Sequence, residues 1–182
     1  MAEQGFPSQH TTTTTVTSSN TTVQTNIRFD ALYIRFLPGM LKVGQIAFNL
    51  LGFISMLCSI TRHFSRGEWF NTVAMGGFWF TGIMLVLYLF HVVEKFYRIP
   101  WLKIEFVFCA IWTVFYLIAA SLACAAGSVS EANIVAGIFG YVAMVLYAYD
   151  AFLKFQGIRS GAIAQGDRVV NKSSSTTTSP AY

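Results

Sequence analysis

The residue best placed for chemistry in this sequence is an acid, Asp150, that lies inside a long hydrophobic run. The run extends from Ala132 to Phe155 and reads ANIVAGIFGYVAMVLYAYDAFLKF. At 1.5 Å per residue such a helix is about 36 Å long, enough to cross a bilayer with some tilt. An acid at membrane depth is costly and needs a partner. Asp150 is therefore the first candidate for an intramembrane site.

Two lysines are candidate partners of Asp150 in an intramembrane charge pair. Lys42 lies about one helical turn inside the first predicted span, at a depth similar to that of Asp150, so the two can meet if those spans touch. Lys154 follows Asp150 at i+4 and can pair with it on the same helix, with both side chains extending to the headgroups. The sequence leaves these pairings open, and an ion-coupled relay is a third interpretation.

Small side chains recur at helical spacing on the same run. Ala136, Gly140 and Ala143 form a candidate helix-packing face. Small residues let helix backbones approach closely, which is how helices associate where lipid supplies no hydrophobic drive. We therefore expect the fourth span to pack inside a bundle.

The three cysteines form no CxxC motif and no Cys/His cluster, so neither a disulfide scaffold nor a zinc site is indicated. Cys109 lies about a turn inside the third predicted span and is either a candidate for S-acylation or a small packing residue. Cys58 and Cys124 fall near the outer ends of the first and third spans, and the sequence does not determine whether they pair.

Enzyme signatures are mostly missing from the sequence. It contains no phosphate-binding loop, no GxSxG, no HExxH and no convergent set of acids. His63 and His91 are expected on opposite sides of the membrane, which excludes them as a ligand pair. We expect no catalysis, no metal, no cofactor and no nucleic-acid partner.

Composition predicts an all-α integral membrane four-helix bundle with short loops. Hydrophobic residues make up 54% of the 182 residues and charged residues only 11%, against about 25% charged in soluble domains. Ser/Thr-rich tails at residues 1–30 and 158–182 flank a domain at 31–157 and are predicted to be disordered. The predicted spans are residues 38–60, 71–93, 104–126 and 132–155.

The distribution of basic residues predicts the orientation of the spans. With four spans, both tails and the middle loop lie on one side, which holds all of the 12 Lys and Arg residues except Arg62 and Arg66. By the positive-inside rule, that side is cytoplasmic.

Three stretches resemble MARVEL-domain proteins, and within them the chemokine-like-factor-like (CMTM) branch. They are FLPGMLKVGQI (36–46), GGFWFTGIMLVLY (76–88) and ANIVAGIFGYVAMVLYAYDAFL (132–153). The likeness covers about residues 30 to 160. It implies a non-enzymatic role in organising membrane subdomains, in vesicle traffic or in the surface retention of other membrane proteins.

Two functional hypotheses follow. The first is a trafficking protein or adaptor of the plasma membrane or of endosomal and secretory vesicles, with lateral partners that are transmembrane proteins, cholesterol-rich lipid or further copies of itself. The second is an oligomeric pore or transporter that uses Asp150, and Glu105 with it, as ion contacts. Polar residues within the predicted spans are few for a water-filled path, which favours the first hypothesis.

Overall fold

A computed structural model describes residues 11–22, 31–96, 99–161 and 169–180. Its helices and strands follow one another along the chain as β1 (Thr11–Thr22), α1 (Leu37–Leu57), α2 (Ser65–Leu89), the short α3 (Val92–Lys95), α4 (Trp101–Ala125), α5 (Glu131–Arg159) and β2 (Val169–Pro180). Two 3-10 turns, Ala31–Arg35 and Ile60–His63, precede α1 and α2.

The four long helices, α1, α2, α4 and α5, are each long and apolar enough to cross a membrane. This confirms the predicted fold class, an all-α protein with four membrane spans. Helix α5 packs against α1 and α4, and α2 packs against the same two helices, so the four form a closed ring. Large and small side chains interlock along its centre, with Met56, Phe70 and Tyr147 almost fully buried.

Helix α2 begins six residues before the predicted second span. The connection from α1 is a tight turn in which the Ser59 hydroxyl accepts a hydrogen bond from the Thr61 amide at 3.0 Å. A Cβ added at Gly67 would clash with the Thr61 carbonyl oxygen, so the glycine lets α2 start directly beside this turn. The predicted loop is therefore partly the first turns of α2.

Helix α5 continues to Arg159, four residues beyond the predicted end of the fourth span. Lys154 is 7% exposed and Asp150 is 1% exposed, so both of these charged residues lie inside the bundle. Asp150 consequently lies about one turn deeper from the helix end than the sequence indicates.

The terminal segments differ from the predicted disorder where they are described. Strands β1 and β2 pair antiparallel, from Thr11 opposite Pro180 to Thr22 opposite Val169. Both segments are rich in threonine, and β-branched residues are enriched in strands. The strand pair is a compact unit separate from the one that contains the helices.

Candidate functional site

Glu105 on α4 is the centre of a buried group of charges. Its Oε1 accepts a hydrogen bond from Lys42 Nζ at 2.6 Å, and its Oε2 accepts one from Lys154 Nζ at 2.6 Å. The Tyr88 hydroxyl donates to the same Oε2 at 2.9 Å. Glu105 is 1% exposed, so four helices meet through one carboxylate shielded from solvent.

The Tyr88 ring covers the two ammonium groups. Lys42 Nζ and Lys154 Nζ each lie 5.3 Å from its centroid, within the range of cation–π attraction. Tyr33, from the 3-10 turn that precedes α1, stacks on Tyr88 with 5.1 Å between centroids. Burial, with the Glu105 and Asp150 charges acting in the same direction, raises the pKa of the Tyr33 phenol above its usual value. The aromatic pair thus closes this end of the bundle.

Asp150 lies one helical turn before Lys154 on α5, deeper in the bundle. Its Oδ2 accepts hydrogen bonds from Gln45 Nε2 at 3.2 Å and from Cys109 Sγ at 3.5 Å. Its Oδ1 is buried and has no hydrogen-bond partner in the described part of the chain. We call the whole group the charge cluster, and its members are Lys42, Gln45, Tyr88, Glu105, Cys109, Asp150 and Lys154.

The predicted partner of the lysines was Asp150, whereas both lysines bind Glu105. Helix α1 runs antiparallel to α5, and the contacts fix their register: Gln45 meets Asp150, and Lys42 and Lys154 meet at Glu105 one turn away. The partners differ from the prediction because α5 is longer than expected. Asp150 therefore lies deeper in the bundle, at the depth of Gln45 rather than that of Lys42.

Cys109 was a candidate for S-acylation. It is 4% exposed and its thiol points at Asp150 in the middle of the bundle. Acylation needs a thiol that an enzyme can reach, so this position argues against it and matches the alternative of a packing residue. Cys58 and Cys124 are free thiols, the first exposed and the second partly exposed.

The candidate packing face on α5 points into the same bundle. Ala136 and Ala143 are both 0% exposed. A Cβ added at Gly140 would lie 3.0 Å from a Phe70 ring carbon and 3.1 Å from the Ala120 Cβ. Gly140 therefore packs against side chains of α2 and α4, and Ala136 and Ala143 belong to the same buried hydrophobic core.

A second polar group, formed by neutral side chains, lies next to the charge cluster. Asn49 accepts a short hydrogen bond from the Tyr116 hydroxyl and donates to the Tyr147 hydroxyl at 2.9 Å. The Thr81 hydroxyl lies 2.9 Å from that of Tyr147. Each of the four long helices contributes one member, and all four residues are buried.

A third polar contact joins the loops at the opposite end of the bundle. Asn133 Oδ1 accepts hydrogen bonds from the hydroxyls of Ser59 at 2.6 Å and Thr61 at 2.8 Å. Its Nδ2 donates to the Ala126 carbonyl at 2.8 Å. Between this end and Asn49 the centre is apolar, filled by Met56 and Phe70.

Within the described ranges, no group of three or more His, Cys, Asp and Glu side chains is arranged to hold a metal ion. Three of the four carboxylate oxygens of the charge cluster are already bonded to lysine, tyrosine, amide or thiol groups. What this arrangement does chemically is hold helices together inside a medium that offers no competing water.

The sequence pointed to Lys42, Asp150 and Lys154 but not to the central role of Glu105. Glu105 follows a charged connection and stands second in the predicted third span, so it resembles a surface residue. The missed signal was Pro100, because proline is tolerated at a helix start and the helix begins directly after it, at Trp101. That start places Glu105 one turn inside the helix.

Comparison with known proteins places this fold in a family. Residues 33–153 match the MARVEL model, described as a membrane-associating domain. The chain belongs to the MARVEL family. The match includes all of the charge cluster except Lys154, and it confirms the MARVEL resemblance inferred from the three sequence stretches.

Relatives of this MARVEL protein include plasmolipins. Those of Mus musculus and Bos taurus are 28% and 30% identical over 170 residues, which cover 87% of this chain and 91% of each relative. The assignment to the CMTM branch stays a prediction. No solved structure matches the chain significantly.

Proposed function

We propose that this MARVEL protein organises membranes without catalysis, by associating laterally with other transmembrane proteins or with cholesterol-rich lipid. Through these contacts it regulates vesicle traffic or the surface retention of its partners. Family membership supports this role, since the matching domain is a membrane-associating one. In the helical part of the chain, the four spans and their short connections leave the outer faces of the helices open to recognition within the bilayer.

One observation carries the proposal: the polar side chains point inward, and the outward faces are apolar. The charge cluster and Asn49 are buried. Outward positions on α2 include Trp79 at 64%, Ile83 at 54% and Val86 at 51% exposed. A partner in the bilayer therefore meets apolar surface, whereas the buried small residues of α5 are already in contact with this chain's own helices.

We propose further that both termini are cytoplasmic and that the protein resides in the plasma membrane or in endosomal and secretory vesicles. Four exposed basic residues, Arg35, Lys95, Lys103 and Arg159, lie at the end of the bundle that holds the charge cluster, against two, Arg62 and Arg66, at the opposite end. This asymmetry supports the orientation, because positive residues concentrate on the cytoplasmic side.

The alternative function, an oligomeric pore or transporter, needs an ion path past Asp150. Two features disfavour such a path through one bundle. Glu105 is neutralised by two lysines, and beyond Asn49 the centre is filled by Met56 and Phe70, which are 1% and 0% exposed. A path through a single bundle would have to displace both side chains.

Photocrosslinking in living cells tests the lateral function. A photoreactive residue at Trp79 or Ile83 should capture a discrete transmembrane protein or a sterol probe, because these positions face outward. The matched inward positions, Ala136 and Ala143, should yield only crosslinks within the chain. Recovery of bulk phospholipid alone from both outward positions would contradict the proposal.

A further inference from the structure

The direct contacts of Asp150 do not require an acid at this position. Gln45 and Cys109, which donate to its Oδ2, are neutral groups, and Oδ1 accepts no hydrogen bond from any described residue. An asparagine could receive the same two donors through its amide oxygen. Burying a carboxylate is far more costly than burying an amide, so the charge itself needs an explanation.

The rest of the charge cluster supplies that explanation through its charge count. Lys42 and Lys154 carry two positive charges and Glu105 carries one negative charge, which leaves an excess of one positive charge. The side chains of the two lysines are 3% and 9% exposed, so water does little to screen this excess. Uncompensated charge at such depth is strongly destabilising.

Asp150 lies where it can offset the excess without touching either lysine. It precedes Lys154 by four residues on α5, a spacing that brings side chains to one helix face. It also contacts Gln45, which follows Lys42 by three residues on α1. Because Coulomb interactions are long-ranged where the dielectric is low, a carboxylate one turn away still stabilises both ammonium groups.

We propose that Asp150 is ionised in the folded protein and is the through-space counter-ion of the Lys42–Glu105–Lys154 triad. The charge cluster then holds two positive and two negative charges. Glu105 provides the directional contacts that fix the helices, and Asp150 provides the balance of charge. Gln45 and Cys109 hold its carboxylate in place.

A charge-balance experiment on the full chain in detergent micelles tests this role. Asp150→Asn leaves the cluster at +1 and Lys42→Met leaves it at −1, whereas the double variant is neutral and keeps the Lys154–Glu105 pair. Each single variant should melt below the wild type, and the double variant should melt above both. Glu131→Gln, an exposed acid on the same helix, is the control and should melt with the wild type.

The double variant remains informative if a single variant fails to fold, because recovery of folded protein in the double variant supports the proposal equally. Asp150→Asn melting with the wild type would overturn it, as would a double variant no more stable than the more stable of the two single variants. Infrared spectroscopy at neutral pH gives an independent readout. Compared with the wild type, the spectrum of Asp150→Asn should lack the absorption band of one ionised carboxylate. Loss of a protonated carboxyl band instead would overturn the proposal.

Discussion

Replacing Glu105 with glutamine should lower the free energy of unfolding by about 3–5 kcal/mol, the usual cost of removing one member of a buried ion pair. The substitution keeps the shape of the side chain but leaves Lys42 and Lys154 without the carboxylate that binds both of them at 2.6 Å. Chemical or thermal unfolding in micelles, followed by circular dichroism, measures the change.

An exposed acid supplies the control for Glu105. Glu68 lies in the first turn of α2, and the Glu68→Gln variant should unfold with the wild type. Removing one positive charge as well, in Glu105→Gln with Lys42→Met, should recover part of the loss. If Glu105→Gln unfolds together with Glu68→Gln, the carboxylate does not hold the bundle as described.

Replacing Gly77 with alanine should destabilise the protein by about 1–3 kcal/mol, the usual cost of overpacking a well-packed core. A Cβ there would lie 2.8 Å from the Tyr147 hydroxyl and 2.9 Å from both Asn49 Nδ2 and Trp112 Nε1. All three are polar atoms, and two of them belong to the neutral hydrogen-bonded group that joins the four long helices. The methyl group would therefore separate α2 from the other three helices.

Gly82, five residues further along α2, is the matched control for Gly77. A Cβ added there meets no atom within 4 Å, so Gly82→Ala should leave the unfolding midpoint unchanged or raise it. Equal midpoints for the two alanine variants would show that close approach at Gly77 is not needed.

Much of the fold follows from the sequence because each span is a long hydrophobic run. The limits of the second span were missed because Arg66 and Glu68 resemble loop residues. In the structure both are exposed on the first turn of α2, where a charged side chain can reach the interface while the backbone stays helical. Charge alone therefore does not mark the end of a membrane helix.

The candidate site was only partly predictable. Charged residues inside hydrophobic runs identify Lys42, Asp150 and Lys154 as costly and hence in need of partners. Which acid binds the lysines depends on where α4 begins and where α5 ends. A difference of one helical turn in these positions decides whether Asp150 or Glu105 lies at the depth of the lysine ammonium groups. Hydrogen-bonded tyrosines such as Tyr116 and Tyr147 give no signal, because aromatic residues are common in apolar spans.

Ion flux through the purified protein in liposomes shows whether the buried charges only hold the bundle together or also form a conducting path. With Met56 and Phe70 filling the centre of the bundle, liposomes that contain the protein should release no more entrapped ion than empty liposomes do. A channel-forming peptide in a parallel sample shows that the assay detects flux. A protein-dependent flux that Asp150→Asn abolishes would show that the charges conduct ions and that the protein forms a pore.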